Sequence, residues 1–151
     1  MGLPNVSSDL VWEIVRNNNS FLVKRNEAGG VQLSRDPLNL ANKNSRKHAG
    51  FINEKAVGIS AEGDKGVQVV SKKATAVHQP AKATIKRTLK SHNRKTYRNV
   101  ANSTAKSGYR PDLREAAITR ASAIRRSQRP VKASPEKKLR GKAAQKAAAQ
   151  E

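Results

Sequence analysis

Residues 56–72, Ala56-Val57-Gly58-Ile59-Ser60-Ala61-Glu62-Gly63-Asp64-Lys65-Gly66-Val67-Gln68-Val69-Val70-Ser71-Lys72, decide the fold. Two segments rich in Val and Ile flank Glu62-Gly63-Asp64-Lys65-Gly66, a turn-forming sequence with glycine at both sides of an acidic residue. Such a pattern predicts an antiparallel hairpin. Upstream, Phe21-Leu22-Val23-Lys24-Arg25 and the alternating Val31-Gln32-Leu33-Ser34 are joined through Gly29-Gly30. They read as another hairpin. Together the two hairpins predict an antiparallel sheet.

Further upstream, Ser7 and Ser8 precede Asp9-Leu10-Val11-Trp12-Glu13-Ile14-Val15-Arg16. A serine cap and early carboxylates suit the unpaired N–H groups and positive dipole end of a helix, so one short helix is predicted across the sheet. Asn17-Asn18-Asn19-Ser20 ends it, because these side chains compete for backbone hydrogen bonds. Between the hairpins, residues 37–50 are polar and basic without a clean period, and include Lys43, Arg46, Lys47 and His48. A structureless stretch of that length inside a small domain is more often functional than idle.

Downstream the period becomes helical. Tyr97, Val100, Ala101 and Thr104 fall at i, i+3, i+4 and i+7, while Arg94, Lys95, Arg98 and Lys106 project mostly to the other side. Gly108 is a stop, and Pro111-Asp112 opens a second helix running to about Gln128. Leu113, Ala117, Ala121 and Ile124 form its apolar stripe. Its cations are spread round the rod: at 100° per residue Arg110, Arg114 and Arg125 share a sector, and Arg120 and Arg126 point elsewhere. Such a rod suits insertion between RNA segments. The expected fold class is therefore α+β: a small antiparallel sheet domain with a short packing helix (residues 1–75), extended basic α-helices (76–132) and a low-complexity Ala/Lys-rich tail (133–151).

Charge is as uneven as the pattern. The 151 residues carry a formal net charge of +20, and residues 76–151 hold 20 Lys+Arg against 4 Asp+Glu where residues 1–75 hold 11 against 7. That density repels itself unless a polyanion neutralises it, and the obvious polyanion is nucleic acid. Arginine in helices is the better instrument, since guanidinium grips phosphate with two hydrogen bonds and stacks on bases. The predicted RNA-binding residues are Lys43, Arg46, Lys47, His48, Arg94, Lys95, Arg98, Lys106, Tyr109, Arg110, Arg114, Arg120, Arg125, Arg126 and Arg129. Trp12 and Phe21 are expected in the core.

Other classes find little support. There is no cysteine, and His48, His78 and His92 lack carboxylate partners at ligand spacing, so neither a metal nor a cofactor is expected. No carboxylate pair suggests a general acid and base, and no G-x-x-x-x-G-K loop occurs, so the chain does not read as an enzyme. No run approaches the roughly 18 apolar residues that span a bilayer. Neither a membrane partner nor a homo-oligomer is expected.

Several blocks carry a resemblance: Leu10-Val11-Trp12 to Lys24-Arg25-Asn26, Asn39-Leu40 to Asn44-Ser45, Lys55-Ala56-Val57-Gly58, and Tyr109-Arg110-Pro111-Asp112-Leu113-Arg114 through Ala121-Ser122-Ala123-Ile124 to Arg126-Ser127-Gln128-Arg129-Pro130. Over about residues 9–132 the chain resembles the eukaryote-specific family numbered twenty-eight of the large ribosomal subunit. The resemblance implies a structural constituent of the cytoplasmic 60S subunit, assembled in the nucleolus, with rRNA and neighbouring ribosomal proteins as partners. A nucleolar assembly factor sharing the N-terminal domain is the alternative; such factors carry cysteines and a long acidic C-terminal region, and this chain has neither. A linker-histone-like chromatin protein is a more distant alternative suggested by the Lys/Ala tail. Against it stand 14 Arg beside 17 Lys, with arginines inside the predicted helices.

Overall fold

The computed structural model describes residues 5–73, 75–76, 79–135, 140–142 and 149. His78 and most of the predicted Ala/Lys-rich tail lie outside the described residues. Helix α1 spans Ser8–Val15, with the Ser7 hydroxyl accepting the Leu10 N–H at 3.2 Å and Asp9 in the first turn. Asn19 closes it as its sequence suggested: its amide donates to the Val15 carbonyl and its Oδ1 accepts the Phe21 N–H, each at 3.1 Å. Trp12 is buried, and Phe21 packs on Phe51 with ring centroids 5.4 Å apart.

Strands β1 (Leu22–Arg25) and β2 (Val31–Ser34) pair antiparallel, Val23 opposite Leu33. The connection is a short 3-10 turn ending in Gly29 and Gly30, whose φ angles of +80° and +85° are open to glycine at little cost. The second hairpin is β3 (Val57–Glu62) with β4 (Gly66–Lys72), Ile59 opposite Val69. Instead of one sheet there are two, because the first hairpin pairs with the following loop, through the bridge Leu33 to Lys43, and not with β3.

A further strand, β5 (Thr84–Leu89), completes the second sheet by pairing with β4, Val67 opposite Leu89. Its sequence hides it. Ile85 and Leu89 lie four residues apart with Arg87 on the same face, so the apolar alternation that marks a half-buried strand is interrupted.

The helices predicted to leave the sheet as an extension lie on it. Helix α2 (Asn93–Ala101) continues through a π-turn, Asn102–Lys106; α3 (Arg114–Ser127) follows a 3-10 turn at Pro111–Leu113. One core joins Leu40, Val57, Ile59, Val67 and Val69 to Leu89, Val100, Leu113, Ala117 and Ala121. Ala117 and Ala121 are fully buried, and their small side chains let α3 approach closely. The predicted stripes of α2 and α3 are thus the packing faces, with Tyr97 and Ile124 at the core's margin. Apolar burial outweighs the cationic repulsion that argued for an extended arrangement.

The loop of residues 35–56 covers part of the sheet's other face. A Cβ at Gly58 would collide with the Pro37 carbonyl, which fixes glycine at the crossing. Buried Asp36 accepts the Leu38 and Phe51 N–H groups at 2.9 Å each, and buried Asn39 donates to the Lys43 carbonyl at 2.8 Å. These bonds give the loop a defined shape without regular structure.

Candidate nucleic-acid interface

The fifteen residues predicted to meet RNA fall into two groups. In the first, the side chain is taken up inside the protein. Arg46 Nε reaches Asp9 Oδ1 at 2.8 Å, Nη2 reaches Ser8 Oγ at 2.7 Å, and Nη1 donates to Asn53, so this guanidinium ties the loop to the start of α1. Arg110 grips both Asp112 oxygens at 2.8 and 2.7 Å and donates to the carbonyls of Lys55 at 2.7 Å and Lys47 at 3.0 Å. Arg125 bonds Asn93 Oδ1 at 2.7 Å and the carbonyls of Lys65 and Ser91. Each joins segments more than 30 residues apart.

Tyr109 belongs with them. Its hydroxyl donates to the Lys72 carbonyl and accepts the Ala56 N–H at 3.2 Å, while Lys55 Nζ lies 5.9 Å from its ring centroid. Burial pushes this phenol above its ordinary pKa. Lys72, beneath it, donates to the Gly50, Phe51 and Asn53 carbonyls at 3.0–3.3 Å, and burial lowers its pKa. His48 shares a 2.9 Å bond with Ser45 Oγ. Burial lowers its pKa, and the nearby charges of Lys47, Lys43 and Arg110 lower it further.

In the second group the cations have no hydrogen bond or ion pair among the described residues. Arg94, Lys95, Arg98 and Lys106 stand exposed on α2 and its π-turn, opposite buried Thr96, Val100 and Thr104. Arg114, Arg126 and Arg129 are exposed on α3 and just beyond it, and Lys43 and Lys47 on the loop. Arg120 is half-buried, in a cleft it shares with Leu40, Lys47, Asp112 and Glu115. Strand β5 adds exposed Lys86 and Arg87, with Lys90 following. Sequence reasoning missed these three because it assigned the segment no element. The signal was present in five cations over residues 82–94, spaced too irregularly for a helix.

Among the described residues no group of three or more metal-ligating side chains converges, and no helix is long and apolar enough to cross a membrane. The arrangement defines a class: a small basic α+β protein whose unpaired cations line the exposed sides of helices built onto a sheet. The model of the Ribosomal L28e protein family matches residues 10–127, and the chain belongs to that family. It is 43% identical over 130 residues to the large ribosomal subunit protein eL28 of Schizosaccharomyces pombe, covering 85% of this chain and 97% of the relative. Against eL28 of Dictyostelium discoideum it is 35% identical over 137 residues, 89% of this chain and 98% of the relative. Against eL28 of Caenorhabditis elegans it is 40% identical over 85 residues, 56% and 64% of the two chains. As a ribosomal protein the chain is a structural component, not an enzyme.

Proposed function

We propose that this protein is a structural constituent of the cytoplasmic large ribosomal subunit, joins it during nucleolar assembly beside other ribosomal proteins, and binds rRNA through its unpaired cations. One observation carries the reading. Arg94, Lys95, Arg98 and Lys106 on α2, and Arg114, Arg126 and Arg129 on and after α3, satisfy nothing among the described residues, whereas Arg46, Arg110 and Arg125 are fully engaged there. The first set, with Lys43, Lys47 and β5's Lys86, Arg87 and Lys90, takes phosphates; the second holds the surface in shape. Phosphate contacts of this kind position a protein by shape and charge and need no base sequence.

Sedimentation of a tagged, endogenously expressed copy through a sucrose gradient, followed by a high-salt wash of the large-subunit fraction, tests the reading. Stoichiometric retention in 60S, 80S and polysome peaks is the expected result. A signal confined to nucleolar precursors would make it an assembly factor, and migration with chromatin alone would overturn the ribosomal role.

A further inference from the structure

Strand β5 and the π-turn after α2 border a cleft of about 360 Å³ that no loop or helix among the described residues fills. Its volume is within the range of small-ligand sites, about 300–1,000 Å³. Val57 and Val69 form the floor, both almost entirely buried, and Ile85 forms part of the wall while remaining 49% exposed. A half-exposed isoleucine on an edge strand, among Lys86, Arg87 and Lys90, is an apolar spot set in a cationic field.

The rest of the lining is the Tyr109 ring, whose hydroxyl is engaged with Lys72 and Ala56, and polar side chains. Ser103 donates its hydroxyl to the Val100 carbonyl at 2.9 Å, and Ser107 donates to the Ser103 carbonyl at 2.7 Å, so the lone pairs of both oxygens stay available as acceptors. The Ser71 hydroxyl makes no hydrogen bond among the described residues. These bonds, with Thr104 Oγ1 donating to Val100 at 2.9 Å, draw off carbonyls that would otherwise serve the helix ladder. The π-turn that results sets Ser103 and Ser107 into the cleft, and such turns recur at functional sites. Arg87, exposed and without a partner among the described residues, lines the same cleft.

A purely apolar cavity would suit a side chain from a neighbouring protein. Apolar walls, hydroxyls for a polar edge and a guanidinium without a partner among the described residues instead fit a planar heterocycle attached to phosphate. We propose that the cleft receives one nucleobase extruded from a single-stranded or bulged segment of rRNA. The base packs against Ile85 and Val69, the serine hydroxyls meet its hydrogen-bonding edge, and Arg87 pairs with the adjoining phosphate. This rests on the rRNA-binding reading and adds a defined contact to it. The cleft beside α3 is a poorer candidate, because Asp112 and Glu115 offset the charge of Lys47 and Arg120 there.

The test compares rRNA in large subunits carrying the wild-type full chain, Ser107→Trp, which plugs the cleft, or Arg87→Ala, which leaves its walls intact. Reagents that modify the Watson–Crick edges of bases read the outcome. One nucleotide, protected with the wild-type protein, becomes at least about fivefold more reactive in Ser107→Trp subunits and rises at the same position in Arg87→Ala subunits, with occupancy of the protein unchanged. Unchanged base reactivity with both variants present in the particle overturns the proposal, as does a cross-link from the cleft to a neighbouring protein alone. If Ser107→Trp is not incorporated, Arg87→Ala decides by the same criterion. Absence of the wild-type chain from the large subunit would instead remove the ribosomal reading itself.

Discussion

Replacing Arg110 by alanine distinguishes an internal clamp from an RNA contact. The Arg110 side chain is 17% exposed, and its loss leaves the Lys55 carbonyl and the Asp112 carboxylate without its hydrogen bonds and the Lys47 carbonyl with only the longer one from Asn53. A net hydrogen bond is worth about 0.5–1.5 kcal/mol, and more to a charged group, but Asp112 is 42% exposed and water takes over part of its share. Arg110→Ala should therefore cost about 2–3 kcal/mol, far above the roughly 0.5 kcal/mol expected for Arg114, exposed and without a partner among the described residues. Urea unfolding of the full chain at moderate salt, followed by circular dichroism, measures the difference. RNA affinity of the folded Arg110→Ala variant should stay near wild type, while Arg114→Ala should weaken it at unchanged stability. The reasoning is refuted if Arg110→Ala unfolds within 0.5 kcal/mol of wild type and loses RNA affinity as Arg114→Ala does.

Four further outcomes follow from the same geometry. Ala121→Leu inserts a larger side chain into the fully buried face between α3 and the sheet and should destabilise the chain by about 1–3 kcal/mol or more, read by thermal unfolding. Asp112 is held below the usual carboxylate range by Arg110, so its contribution is complete above the unfolded value of about 3.9 and is lost as pH falls through the lower folded value. Unfolding measured across that acid window should show a smaller drop in Arg110→Ala. His48 is likewise lowered, so stability falls as pH drops below about 6.5, and His48→Gln should flatten that limb. Arg98→Ala should reduce the slope of log affinity for RNA against log salt by about 0.7–0.9, whereas Arg125→Ala should act on stability and leave the slope unchanged.

The residues explain what could be read without coordinates. Val57, Ile59, Val67 and Val69 alternate about a glycine-bounded turn, so the β3–β4 hairpin was legible, and Val100 or Ala117 and Ala121 at helical spacing marked the inner faces of α2 and α3. Strand β5 was not legible, because Arg87 stands where a third apolar residue would have completed the pattern. Nor was the role of each arginine. Arg110 and Arg125 find carbonyls 55 and 60 residues away in sequence, and composition treats them like Arg98 or Arg114. Only Arg110-Pro111-Asp112 offered a local hint, a cation and a carboxylate two residues apart around a proline that holds the turn.

The division of the cations is tested most directly by electron cryo-microscopy of large subunits that contain this protein. The account predicts rRNA phosphates at hydrogen-bonding distance from Arg94, Lys95, Arg98 and Arg114, with Arg46, Arg110 and Arg125 still on their protein partners. A map in which α2 and α3 face solvent, or in which those three arginines have swung out to phosphates, would contradict it.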